Sequence, residues 1–120
     1  MLTVPPGQGT NMPDIQIEKV ALEGRRGRYV ARIDGIDAEA ELVFTNRGEH
    51  LISADHTGAP EVLRGTGAAA ALVDYMIDDA RRSRFRIIPI CPYVRARYEK
   101  HPEWADVMTV GPGEKPVIRL

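Results

Sequence analysis

The chain has 120 residues, a length for one domain, and a net charge of −1 that gives no general attraction to nucleic acid or an anionic membrane. Its one cysteine, Cys91, rules out an internal disulfide framework and suits a reducing, cytoplasmic setting; with three histidines, the ligands are too few and too scattered for a structural zinc site. The longest apolar run, Ala68 to Val73, is far too short to span a bilayer, and the first fourteen residues hold neither a basic start nor an apolar block, so no signal peptide is expected.

Residues 1–14, rich in Pro and Gly, read as a tail, 15–108 as a single domain and 109–120 as a second Gly/Pro-rich tail. Within the domain, IQIEKVAL (15–22), YVARI (29–33), EAELVFT (39–45) and HLISADH (50–56) are short strand candidates. Turns are expected at 23–27, at Asp34-Gly35 and at Asn46-Arg47-Gly48. This is the pattern of an antiparallel meander. The period then changes. Ala68, Leu72, Tyr75, Met76 and Ala80 share one helical face, predicting a helix from about Gly67 to about Arg84, with Asp74 and Asp78 outside and Asp78 paired to Arg82. FRIIPI (85–90) reads as a buried strand parallel to 50–56, which completes a βαβ unit and an α+β fold with a mixed sheet. Pro89 cannot donate to a ladder, so the two parallel strands are expected to separate there. A short helix over 94–101 ends at Pro102, Trp104, Val107 and Met108 pack back on the core, and Val117-Ile118 is a candidate edge strand.

Between the last meander strand and the long helix lies HTGAPEVLRGTGAAAA (56–71). Glycines there permit close approach of backbone to a ligand, and the N–H groups of a helix start attract anions. Acidic residues usually occupy a first helical turn, yet Thr66 to Val73 contains none, which leaves the positive end for something else.

The arrangement Arg64-Gly65-x-Gly67-x-Ala69 at a helix start resembles the acetyl-CoA signature of the GCN5-related N-acetyltransferases. The wider pattern is similar to the small YjdJ-type members of that family: His56-Thr57, Pro60, Leu63-Arg64-Gly65-x-Gly67, then Ile88-Pro89-x-Cys91-Pro92-Tyr93-Val94 and His101-Pro102. The likeness covers roughly 28–108; Ala68 departs from it, standing where a larger aliphatic residue is common. It implies a minimal acetyltransferase fold with the parallel strands splayed around coenzyme A. It also implies acetyl-CoA as cofactor, held by Arg64, Gly65, Thr66, Gly67, Ala68 and Ala69 at the pyrophosphate and by the backbone of Ala54, Asp55 and His56 along the pantetheine arm.

Acetyl transfer to an amine needs a base and a proton source for the departing thiolate. His56 is the candidate base and Tyr93 the candidate acid. Cys91 is either an acetyl-carrying nucleophile or a buried structural residue, with direct attack by the amine the simpler route. Asp55 and His56 are not expected to share a face, because neighbours on a regular strand alternate. Arg95, Arg97 and Lys100 either meet the adenosine phosphate or form a solvated face. The expected acceptor is a small-molecule or peptide amine, flat or extended because the chain has little room for acceptor loops; a monomer is expected, with no membrane partner. Two other readings stay open: a non-catalytic CoA or acetyl-CoA-binding protein, and a nucleic-acid or protein adaptor acting through the basic segment 81–86.

Overall fold

The computed structural model describes residues 14–117. Four strands follow one another, β1 (Ile15–Ala21), β2 (Arg26–Ile33), β3 (Glu39–Gly48) and β4 (Leu51–Gly58). A single 3-10 turn at Glu61–Leu63 leads into helix α1 (Ala68–Ser83), then β5 (Arg86–Pro89), helix α2 (Pro92–Lys100) and a 3-10 segment at Pro102–Val107. The sheet order is β1-β2-β3-β4-β5, antiparallel except for the parallel β4–β5 pair. The expected α+β meander and βαβ unit are therefore present. The expected tail over 1–14 lies almost wholly outside the described residues.

Several boundaries differ from the sequence reading. β3 continues through Asn46-Arg47-Gly48, which the sequence marks as a turn, and the reversal falls at Glu49-His50 instead. An irregular register between Asn46 and Gly48 lets the ladder absorb these residues. α2 starts two residues early because Pro92 fits the first helical position, where its missing N–H has no partner to lose. Val117 is exposed and in no strand, and Ile118 lies outside the described residues. Thr109 and Val110 tie back onto the domain, through Thr109 N–H to the Ile87 carbonyl (3.1 Å) and the Tyr98 hydroxyl to the Val110 carbonyl (2.7 Å).

One sheet face carries the core. Tyr29, Ala31 and Ile33, then Ala40, Leu42 and Phe44, then Ile52 and Ala54 alternate inward and meet Leu72, Val73, Met76, Ile77 and Ala80 of α1. Val94 and Tyr98 bring α2 onto the same core. Phe44 lies flat on Gly27, where a Cβ would stand 2.4 Å from its Cζ, so glycine is required at that pair. Asp79 is buried at the edge of this core. It accepts hydrogen bonds from Lys19 Nζ (2.8 Å), the Tyr29 hydroxyl (2.8 Å) and Ser83 Oγ (3.3 Å). Arg82 stands 4.0 Å from Asp79, not paired with Asp78 as the spacing suggests.

The other sheet face carries no helix among the described residues. A line of ion pairs crosses it: Arg32 bridges Glu18 and Glu39, and Arg28 bridges Glu39 and Glu41. The methylene stems of these side chains roof Val30, which is fully buried beneath them.

Candidate functional site

The connection between β4 and α1 is shaped by two glycines with positive φ, Gly65 at 81° and Gly67 at 87°. Neither would bring a Cβ within 4 Å of another atom, so the space above both is open. Thr66 knits the turn from within. Its hydroxyl bonds the Leu63 carbonyl and accepts from Ala68 N–H (3.3 Å), while its own N–H goes to Leu63 (3.2 Å). Of the helix-start N–H groups, those of Ala69 and Ala70 remain outside the intrahelical ladder, which opens with Ala71 N–H to the Gly67 carbonyl. Of the sequence-expected pyrophosphate ligands, Arg64 (to the Glu61 carbonyl, 3.0 Å), Thr66 and Ala68 thus have their N–H groups engaged, and Gly65, Gly67 and Ala69 face the open side.

Above this turn lies a groove of about 360 Å³ lined by Leu63, Arg64, the two glycines, Ala68 to Ala70 and Tyr93. Tyr93 sits on the first turn of α2, so both helix starts flank the groove. Neither has an acidic residue in its first turn. Two positive helix ends with small side chains around them favour an anion joined to a slender chain.

The parallel strands part just past Pro89. Pro89 pairs in register with Ala54, so the separation begins one residue later than the sequence suggests. The reason lies in the alternation of the ladder. Arg86 N–H bonds the His50 carbonyl on the β4 side, whereas the Ile87 carbonyl accepts Thr109 N–H on the outer side; Pro89 shares the outer parity, where its missing N–H costs β4 nothing. Ile90 N–H then folds back to the Ile88 carbonyl (2.9 Å) and Cys91 N–H takes the Ala54 carbonyl (2.8 Å). Arg95 draws the Pro89 and Ile90 carbonyls away, at 3.2 and 2.6 Å. Beyond Ala54, β4 therefore runs on through Asp55 to Gly58 with no strand on its β5 side among the described residues. Because the Ala54 carbonyl is occupied, the open edge spans 55–58 and not 54–56.

Cys91 stands at the head of this gap as the N-terminal cap of α2, 3% exposed, its Sγ 3.3 Å from Thr57 Oγ1. That contact depends on the β4–β5 register, and nothing in the sequence pattern singles out Thr57 as the partner of Cys91. His56 and Asp55 overturn the alternation expected of them. The register steps from Phe44↔Ala54 to Val43↔His56, so Asp55 is the extra residue of a bulge. Asp55 accepts from Thr45 Oγ1 (2.5 Å) and Ser53 Oγ (2.7 Å), and His56 pairs with Val43, all on the helix-free face. The two side chains consequently share that face, while Thr57, Cys91 and Tyr93 lie on the helical side of the gap. The groove's lining ends at Ala59, one residue past β4, and at Tyr93, two residues past Cys91, so groove and gap are neighbours. Of the basic residues of α2, Arg95 is bound to carbonyls and Arg97 reaches Asp74 at 3.5 Å.

Such an arrangement offers an anion seat, a slot between strands, and an imidazole and carboxylate on the far side of that slot. No group of three or more metal-ligating side chains occurs among the described residues, and no described helix is long and apolar enough to cross a membrane. No curated protein matches the chain. The family model for GCN5-related N-acetyl-transferases matches residues 28–107, from the second strand to the end of the final 3-10 segment. Proteins of this family carry out acetyl transfer and generally use acetyl-CoA. The chain belongs to the GCN5-related N-acetyltransferase family.

Proposed function

We propose that this protein is a cytoplasmic, acetyl-CoA-dependent N-acetyltransferase acting on an amine presented by a flat or extended acceptor such as a peptide. The observation that carries the reading is that the groove at the two acid-free helix starts adjoins, at Ala59 and Tyr93, the gap where β4 and β5 part. The open glycines, the free N–H groups and the small side chains of Ala68 to Ala70 fit a pyrophosphate. The strand edge at 55–58 fits an amide-bearing arm.

Acetyl-CoA supplies the acetyl group as a thioester. On the open face, His56 takes the proton of the acceptor ammonium, since a neutral imidazole works as a base near neutral pH. Asp55, held by two hydroxyls beside it, attracts the cation. As the nitrogen–acetyl bond forms and the carbon–sulfur bond breaks, Tyr93 at the groove gives its phenolic proton to the leaving thiolate, and the second proton shed by the nitrogen as it becomes an amide restores the phenol through solvent. Burial of Cys91 under Thr57 favours direct attack by the amine over an acetyl-cysteine step.

Thermal melting with acetyl-CoA tests binding: at a hundred-fold excess over the dissociation constant the ligand adds about 2.7 kcal/mol of stability, a shift well above error. No shift at millimolar ligand sinks the reading. Incubation with labelled acetyl-CoA tests the route. Turnover retained in Cys91→Ala supports direct attack; label lost from the protein together with activity establishes the cysteine route instead.

A further inference from the structure

The sequence leaves the basic residues of α2 without a settled role, and the structure separates them. Arg95 is committed to backbone carbonyls. Arg97 is not. Its Nε is buried with no hydrogen-bond partner among the described residues, and its one ion pair, to Asp74, is long at 3.5 Å. An orphaned buried donor is uncommon and invites explanation.

The position of Arg97 supplies one. Tyr93 on α2 and Ala70 on α1 both line the groove. Arg97 lies four residues after Tyr93, and Asp74 four residues after Ala70, and the two meet across the helices. The helices thus run side by side, and the Arg97–Asp74 pair stands one turn, roughly 5.4 Å, beyond the groove's lining residues Tyr93 and Ala70. Long side chains on a helix lean back toward its N-terminus, which tilts the guanidinium toward the anion seat. A pyrophosphate bound there sends one end of its ligand into the strand gap. The other end, the adenosine, is left with the channel between α1 and α2.

We propose that Arg97 reads the ribose phosphate of coenzyme A, with Asp74 as the placeholder that holds the guanidinium over the channel until the phosphate displaces it. The proposal rests on the coenzyme A reading of the groove. A planar guanidinium matches a phosphate monoester with two parallel hydrogen bonds, which an under-used arginine gains at little cost. Asp74, 58% exposed, is free to swing into water.

Calorimetric titration of the full chain with coenzyme A and with dephospho-coenzyme A tests this, with circular dichroism melts confirming that each variant is folded. Wild type is expected to bind coenzyme A more tightly by roughly ten- to hundred-fold, the range of charge-assisted hydrogen bonds. Arg97→Gln abolishes the difference by weakening coenzyme A alone, Arg97→Lys restores only part of it, and Asp74→Asn strengthens coenzyme A while leaving the dephospho form unchanged. Equal binding of both ligands by wild type overturns the proposal, as does an equal loss of both in Arg97→Gln. Binding of neither by wild type overturns the coenzyme A reading itself, and the proposal with it.

Discussion

Asp79 shows how one residue can be central to the fold and hidden in the sequence. Its spacing places it on the buried stripe, four residues after Tyr75 and next to Ala80, but a carboxylate is seldom buried unless paired, and its partner Lys19 is 60 residues away. Only the closed sheet brings them together. Burial works against the charge of Asp79, yet the hydrogen bonds from Lys19 and Tyr29 and the charge of Lys19 outweigh it and hold the carboxyl below its ordinary value. Conversely, burial first and then the bond to Asp79 push the Tyr29 hydroxyl far up, so it stays a donor at any ordinary pH. Removing the carboxylate in Asp79→Ala leaves a buried phenol unpaired, which costs about 1–3 kcal/mol at neutral pH. Because the folded pKa lies below the unfolded one, the part of this contribution that depends on the carboxylate's charge is complete above about pH 4 and fades as pH falls through the folded value. Urea midpoints of wild type and Asp79→Ala therefore converge below that pH; a gap that stays constant from pH 7 to pH 3 contradicts the assignment.

Helix α1 is the element on which the groove depends, and its two ends adopt the same left-handed backbone with different residues. At its start Gly67 has φ 87°; at its end Arg84 has φ 62°. A side chain in that region costs about 1–2 kcal/mol. Gly67→Ala is thus expected to lower stability by about that amount and, by turning the helix start, to weaken acetyl-CoA binding. Arg84→Gly is expected to raise stability by about 1 kcal/mol and leave ligand affinity alone. Denaturant midpoints with calorimetry on both variants check the pair, and equal effects on affinity contradict the placement of the anion seat. The helix, its apolar stripe and the glycines before it are legible in the sequence because each follows from local rules. The bulge at Asp55 is not, since it is an accommodation between two strands, and a regular alternation predicts the wrong face for one of Asp55 and His56. For the same reason Pro89 marks the parting of the strands in sequence, while the ladder's parity decides that the parting begins at Ile90.

At the scale of the molecule, the helices cover one side of the sheet and leave the other flat, crossed by ion pairs whose side chains are a quarter to a half exposed or more. Such pairs are worth about 0–1 kcal/mol each, so their substitution tests function without unfolding the domain. On the proposed function, coenzyme A and acceptor approach the gap from opposite sides, the one along the helices and the other across the open face at His56 and Asp55. His56→Ala is expected to lower kcat by about 10²–10⁴-fold, with partial recovery at high pH where the amine deprotonates unaided. Asp55→Asn is expected to raise KM for a cationic peptide several-fold while the dissociation constant of acetyl-CoA holds steady. Added salt should mimic that loss for wild type and affect Asp55→Asn less, because screening removes what the substitution has already removed. The opposite face supplies the control: Val62, 60% exposed beside the groove, lies on the helical side, and Val62→Glu should leave acceptor KM unchanged. If Val62→Glu raises that KM and Asp55→Asn does not, the acceptor enters from the helical side and the open sheet face has no part in the reaction.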